Sequence, residues 1–159
     1  MPALADLPDH ARVRALPCDP PLTSAQSADL IGAIAKLFTQ FAKEDRIERW
    51  AIEPAAGGAL LVIAWHGAED LSGCSKDKLA QVLAVHEERT RSRLLAAPPI
   101  VIEVGGVARC VDRAGLRALA AQGVVGADTL VYDTRLEQLG DWRARSRLPA
   151  RDCWIGGLI

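Results

Sequence analysis

Residues 49–67, RWAIEPAAGGALLVIAWHG, hold the stretch whose reading decides the fold. Its second half, ALLVIAWHG, is apolar at nearly every position, as a strand is when both of its faces are covered. Its first half, read with the preceding residues, alternates Ile47, Trp50 and Ile52 imperfectly and stops at Pro54. AAGG between them supplies a turn. The stretch therefore reads as a hairpin whose second strand lies in the middle of a sheet.

Working outward, TSAQSADLIGAIAKLFTQFAKE is the clearest helix of the chain. Leu30, Ile34, Leu37 and Phe41 recur at helical spacing, with Ile31 and Phe38 on the same broad face. Thr23 and Gln26 have the spacing of a capping box. Upstream, ARVRALP is a short strand carrying Val13 and Leu16, stopped by Pro17, Pro20 and Pro21. Downstream, a helix is expected from about Ser75 to Arg91, with Leu79, Val82, Leu83 and His86 on one side. PPIVIEVGGVARCV is a second hairpin, turning at Gly105-Gly106, where positive φ is required. Asp112 caps a third helix bearing Leu116, Leu119 and Ala120, which ends at Gly123. DTLVYDT is a short strand, and the remaining tail reads as irregular, with Trp142, Leu148 and Trp154 packed onto the body.

The class is α+β. The order β-α-β-β-α-β over residues 11–104 is that of a ferredoxin-like sandwich, followed by a β-α-β extension. The expected division is a disordered leader at 1–10, a ferredoxin-like region at 11–99, and a hairpin-helix-strand region with a tail at 100–159. Such a topology implies a scaffold and no chemistry.

Composition narrows the function. The 159 residues carry a formal net charge of -1, which argues against a general affinity for nucleic acid. No apolar run approaches the ~20 residues of a membrane span. The opening MPALADLPDHARVR has acids and prolines where a signal peptide is basic and then apolar, so a cytoplasmic location is expected. Cys18, Cys74, Cys110 and Cys153 are scattered without a CxxC pair, and are expected as free thiols with no metal site. Neither GxxxxGK[ST] nor GxGxxG occurs, so no cofactor is expected.

Residues from about Ile100 to Arg143 resemble the bacterial variety of the GYF domain. The resemblance lies in a Gly-containing hairpin, the helix RAGLRALAAQG, then VVGADTLVYDT and a tryptophan in GDW. Leu116, Leu119, Gly123, Asp128, Thr129, Val131 and Trp142 stand at the matching places, while Ile100 and Ile102 replace an aromatic pair of that family. The resemblance implies a GYF-like fold and a protein-binding role. Over most of its length the chain is also similar to a family of small uncharacterised bacterial proteins often labelled as ABC-transporter ATPases. The matching blocks are SGCSKDKL, DTLVYDT and LPARDCWIGGLI. The ATPase label finds no phosphate loop here.

Three sets of candidate site residues follow. Cys74 lies at a helix N-terminus, where free N–H groups and the dipole favour a thiolate, and His66 at the end of the central strand is its candidate base. Ser72, Gly73, Ser75 and Lys76 could bind an anion at the same junction, or simply cap the helix with Cys74 packed beneath. His86 is twelve helical residues from Cys74, about 18 Å away at 1.5 Å per residue, and does not join them. Arg145, Arg147 and Arg151, beside Trp142 and Trp154, form a candidate surface for a partner, with stacking and guanidinium groups that suit single-stranded RNA. The leading expectation is a non-enzymatic protein-binding or adaptor module. The alternatives are a thiol-dependent enzyme or redox protein using Cys74, and an RNA- or ribosome-associated protein.

Overall fold

A computed structural model describes residues 3–159. The fold is mixed α and β, with four α-helices and two antiparallel sheets. The first region runs β1 (Arg12–Pro17), α1 (Ser24–Lys43), β2 (Arg49–Ala55), β3 (Leu60–His66) and α2 (Gly73–Thr90). The second runs β4 (Ile100–Val104), β5 (Val107–Val111), α3 (Arg113–Ala121), β6 (Leu130–Tyr132), α4 (Leu139–Arg145) and β7 (Arg147–Pro149).

The central strand is where its composition puts it. β3 lies between β1 and β2 in a three-stranded sheet, and its residues Leu60 to Trp65 are all buried. Leu61, Ile63 and Trp65 face α1 and α2, joining Leu30, Ile34, Phe38, Phe41, Leu79 and Leu83 in one core. Leu60, Val62 and Ala64 face the other way and pack against Val101, Ala108, Leu139 and Trp142 of the second region. Period-two alternation on one strand thus serves two cores, which is why the strand reads as apolar throughout. α1 begins with the reciprocal capping box expected: Thr23 Oγ1 accepts from the Gln26 N–H at 3.2 Å, and Gln26 Oε1 accepts from the Thr23 N–H at 3.0 Å.

The single sheet of a ferredoxin-like sandwich is not what forms. Three strands take the order β1-β3-β2, but β4 leaves and becomes an inner strand of a second sheet, β5-β4-β6-β7. Ile100, Val101 and Ile102 are apolar toward both faces: Val101 packs against the first sheet, and Ile100 and Ile102 pack against Leu116 of α3 and against Ala150 and Ile155. The outer edge of β1, where a fourth strand would lie, is met by residues 137–139 instead: Arg12 bridges Gln138, and the Val13 N–H donates to the Glu137 carbonyl at 2.9 Å.

Two further departures concern the ends. Residues 3–10, expected within a disordered leader, lie against the body: Leu7 is buried, and Arg143 donates to the carbonyls of Leu4 and Leu7 and to Asp9. Met1 and Pro2 of that leader lie outside the described residues. The tail, expected to be irregular, contains α4 and β7. α4 lacks a side-chain cap, and its Gly140 is set so close to Asp9 that a Cβ would come within 2.9 Å of the Asp9 Cβ. The β hairpin at Gly105-Gly106 (φ 60° and 78°) and the Asp112 cap of α3 form as their residues dictate.

Candidate functional site

Arg12 and Arg14 alternate with Val13 and Ala15 along β1, so they point to the side of the sheet that also bears Leu16 and the two large helices. Leu16 is in the core; Arg14, one step along, is half-buried at its border. It lines a cleft of about 470 Å³ between the end of the first sheet, the first turn of α2 and residues 134–137. Four cationic side chains line this cleft, Arg12, Arg14, Lys76 and Arg135, against two carboxylates, Asp70 and Glu137.

The partners of these charges differ. Lys76 Nζ lies 3.0 Å from Asp70 Oδ2, and Arg135 Nε lies 3.6 Å from Asp133. Asp70 is also fixed by the indole N–H of Trp65, at 3.0 Å, and by the Leu71 N–H, at 2.8 Å. Burial pushes the Asp70 carboxyl upward, but the hydrogen bonds from Lys76, Trp65 and Leu71 outweigh it and hold its pKa below the ordinary value. Arg14 is different. Among the described residues its guanidinium has neither a carboxylate nor any other hydrogen-bond acceptor, and burial alone lowers its pKa. An arginine stays charged under such conditions, so the cleft holds a partly dehydrated cation that an incoming anion would complete. A smaller recess of about 190 Å³, lined by His10, His66 and Glu69, shares Arg12, Trp65 and Asp70 with this cleft. There the two imidazoles meet edge to face at 4.7 Å, and His66 Nε2 lies 3.7 Å from Glu48.

Of the residues singled out in the sequence, His66 and Lys76 fall on this groove and Cys74 does not line it. Cys74 is exposed on the first turn of α2, not packed beneath the helix, and among the described residues no hydrogen bond joins it to His66. Gly73 is the first, exposed residue of that helix. Ser72 accepts from the Ser75 N–H at 3.2 Å and is the helix cap. Ser75 is buried, with its hydroxyl held by Arg46 at 2.7 Å. The polar groups of the turn are therefore engaged with one another, and Lys76 with Asp70. His86 is buried within α2, its Nδ1 without a partner among the described residues.

The C-terminal arginines are each met by an acid. Arg145 lies 3.7 Å from Asp141, Arg147 lies 2.6 Å from Glu103, and Arg151 pairs with Asp128. Trp142 is buried against the first sheet, and half-buried Trp154 is covered by Arg135 at 4.4 Å and Arg113 at 5.7 Å. Among the described residues no group of three or more His, Cys, Asp or Glu side chains is placed to hold a metal ion, and no helix is long and apolar enough to cross a membrane.

Arg14 was the residue that sequence reasoning passed over, although a signal was present. An arginine two positions from Leu16 on one strand must share the face that Leu16 buries. No family model, curated protein or solved structure matches the chain.

Proposed function

We propose that the chain is a non-enzymatic binding module whose recognition site is the Arg14 groove, and that it receives a carboxylate on an extended segment of a protein partner. The observation that carries this reading is the half-buried Arg14 guanidinium, charged and without an acceptor among the described residues, at the wall of an open cleft. The planar guanidinium fork suits a bidentate carboxylate. Asp70 and Glu137 on the same walls repel a polyanion, which favours a single acidic side chain over a nucleic-acid backbone. The groove's elongation past His10 and His66 suits a segment that presents several residues in a row. The likeness of residues 100–143 to GYF domains agrees with a protein-binding role.

The test is calorimetric titration of the full chain with an eight-residue peptide carrying central Glu residues, its Gln counterpart, citrate, and a single-stranded RNA oligonucleotide. Saturable binding of the Glu peptide that is lost with the Gln peptide, and with Arg14→Met, supports the proposal. Binding of the RNA in preference to the Glu peptide, or equal binding of the Glu and Gln peptides, overturns it.

A further inference from the structure

A second groove lies on a different side of α2, between that helix and α1. Lys76 belongs to the first groove, whereas Lys78, two residues and about 200° further round the helix, opens the second. Lys78, Val82, Val85 and Arg89 recur at i, i+4, i+7 and i+11 and so form one stripe along α2. Ala33 and Leu37, one turn apart on α1, make the opposite wall. The groove has a volume of about 550 Å³. Val85, which lines it, is 53 % exposed.

The two ends of this apolar floor are cationic. Eleven helical residues separate Lys78 from Arg89, about 16 Å at 1.5 Å per residue. Among the described residues neither side chain forms a salt bridge, and Lys78 has only the longer-range attraction of Glu44. An occupant apolar in the middle and acidic at both ends over that length would meet the floor and both cations. A linear amphiphile with one anionic head meets only one end. A second copy of the chain laying its α2 antiparallel on this α2, about an axis between Val82 and Val85, would bring Lys78 of each copy over Arg89 of the other, a like-charge clash. A three-turn amphipathic helix fits both the length and the charges.

We infer that the groove between α1 and α2 is a docking surface for a helix of a partner protein, with apolar anchors one turn apart flanked by Asp or Glu at both ends. The inference stands apart from the Arg14 groove, and its test separates the two.

The probe is a fluorescein-labelled, helix-stapled peptide of about 14 residues, with leucines at helical spacing and Glu at both ends. A sister peptide carries Lys at those ends. Anisotropy titrations with the full chain are expected to show the Glu-ended peptide binding at least about tenfold more tightly at low salt, with the difference shrinking as salt rises. Val85→Asp, at an exposed position, weakens both peptides about tenfold or more, with helical circular dichroism unchanged; Val85→Ala gives a smaller loss in the same direction. The double variant Lys78→Glu with Arg89→Glu reverses the preference, also in an Arg14→Met background, where the first groove no longer competes for the probe. Equal affinity for the two peptides, no saturable binding of either, or loss of binding in Arg14→Met overturns the inference. So does a dimer, seen by sedimentation equilibrium, that Val85→Asp dissolves, because the groove would then be covered by a second copy.

Discussion

Replacing Arg14 by methionine should make the free protein more stable and its binding weaker. The guanidinium sits partly out of water with no acceptor among the described residues, so the folded state bears a desolvation cost that the unfolded chain does not. Methionine keeps the unbranched stem that packs at the border of the core and removes the charge. Replacement of buried ion pairs by apolar residues of similar volume ranges from neutral to a gain of about 1–4 kcal/mol. Water still reaches Arg14, and the lower end, about 1 kcal/mol, is the appropriate figure after that discount. For a chain of this size the melting temperature should rise by roughly 2–4 °C. The native protein should behave oppositely toward ligand: at about a hundred times the dissociation constant, a bound acidic peptide adds about 2.7 kcal/mol, or roughly 5–10 °C. Thermal melts of both proteins, with and without the Glu peptide, test the two effects together. An Arg14→Met variant that melts below the native protein without ligand would refute the reasoning about desolvation. One that keeps the ligand-induced rise would refute the assignment of the site.

Other expectations are independent of that groove. Glu87 accepts from the N–H groups of Leu94, Leu95 and Ala96 with a single carboxylate oxygen, and these bonds outweigh its burial and lower its pKa; Glu87→Gln should cost about 1 kcal/mol at pH 7, read by urea denaturation. Because the folded pKa values of Glu87 and Asp70 lie below their unfolded ones, their stabilisation is complete above roughly pH 5 and is lost as pH falls through the folded values. Acid melts of Glu87→Gln should accordingly show a shallower decline below about pH 4 than the native protein. Iodoacetamide at pH 8 followed by mass spectrometry should modify exposed Cys74 first, while burial pushes the Cys18 thiol up to about 12 and the Cys110 thiol to about 11 and keeps both unreacted until unfolding. Gly58→Ala should destabilise by about 2 kcal/mol or more, since φ there is 91° and a Cβ would lie 2.1 Å from the Leu22 carbonyl oxygen; a denaturation midpoint unchanged from the native protein would contradict the turn geometry.

Much of the fold is legible in the chain because its local signals agree with its packing. β3 announces itself by apolar residues on both faces, α1 by its capping box and stripe, and the second hairpin by Gly105-Gly106. What escapes local reading is pairing at a distance. Ile100-Val101-Ile102 is equally apolar as the edge of one sheet or the interior of another, so the sequence does not reveal that β4 departs to start a second sheet. α4 and β7 are seven and three residues long, too short for periodicity to show, and they are fixed by tertiary contacts such as Gly140 against Asp9 and Leu148 beside Val131. The same contacts, through Arg143, hold residues 4–9 that their composition presents as a leader. At the site, the turn Ser72–Lys76 was visible as a helix start, and the geometry makes it a self-satisfied cap with Cys74 exposed beside it. Arg14 carries a weak signal because an alternating strand with arginines also fits a solvated face, and the neighbouring Leu16 shows that this face is covered.

The most direct measurement is NMR observation of the Arg14 side-chain Nε–H in the ¹⁵N-labelled full chain during titration with the Glu peptide. The account predicts a single-site, saturable downfield shift of that resonance, with smaller shifts at Arg12 and the Trp65 indole, and no response to the Gln peptide. Shifts confined to Arg145, Arg147 and Arg151, with Arg14 unmoved at saturation, would contradict it.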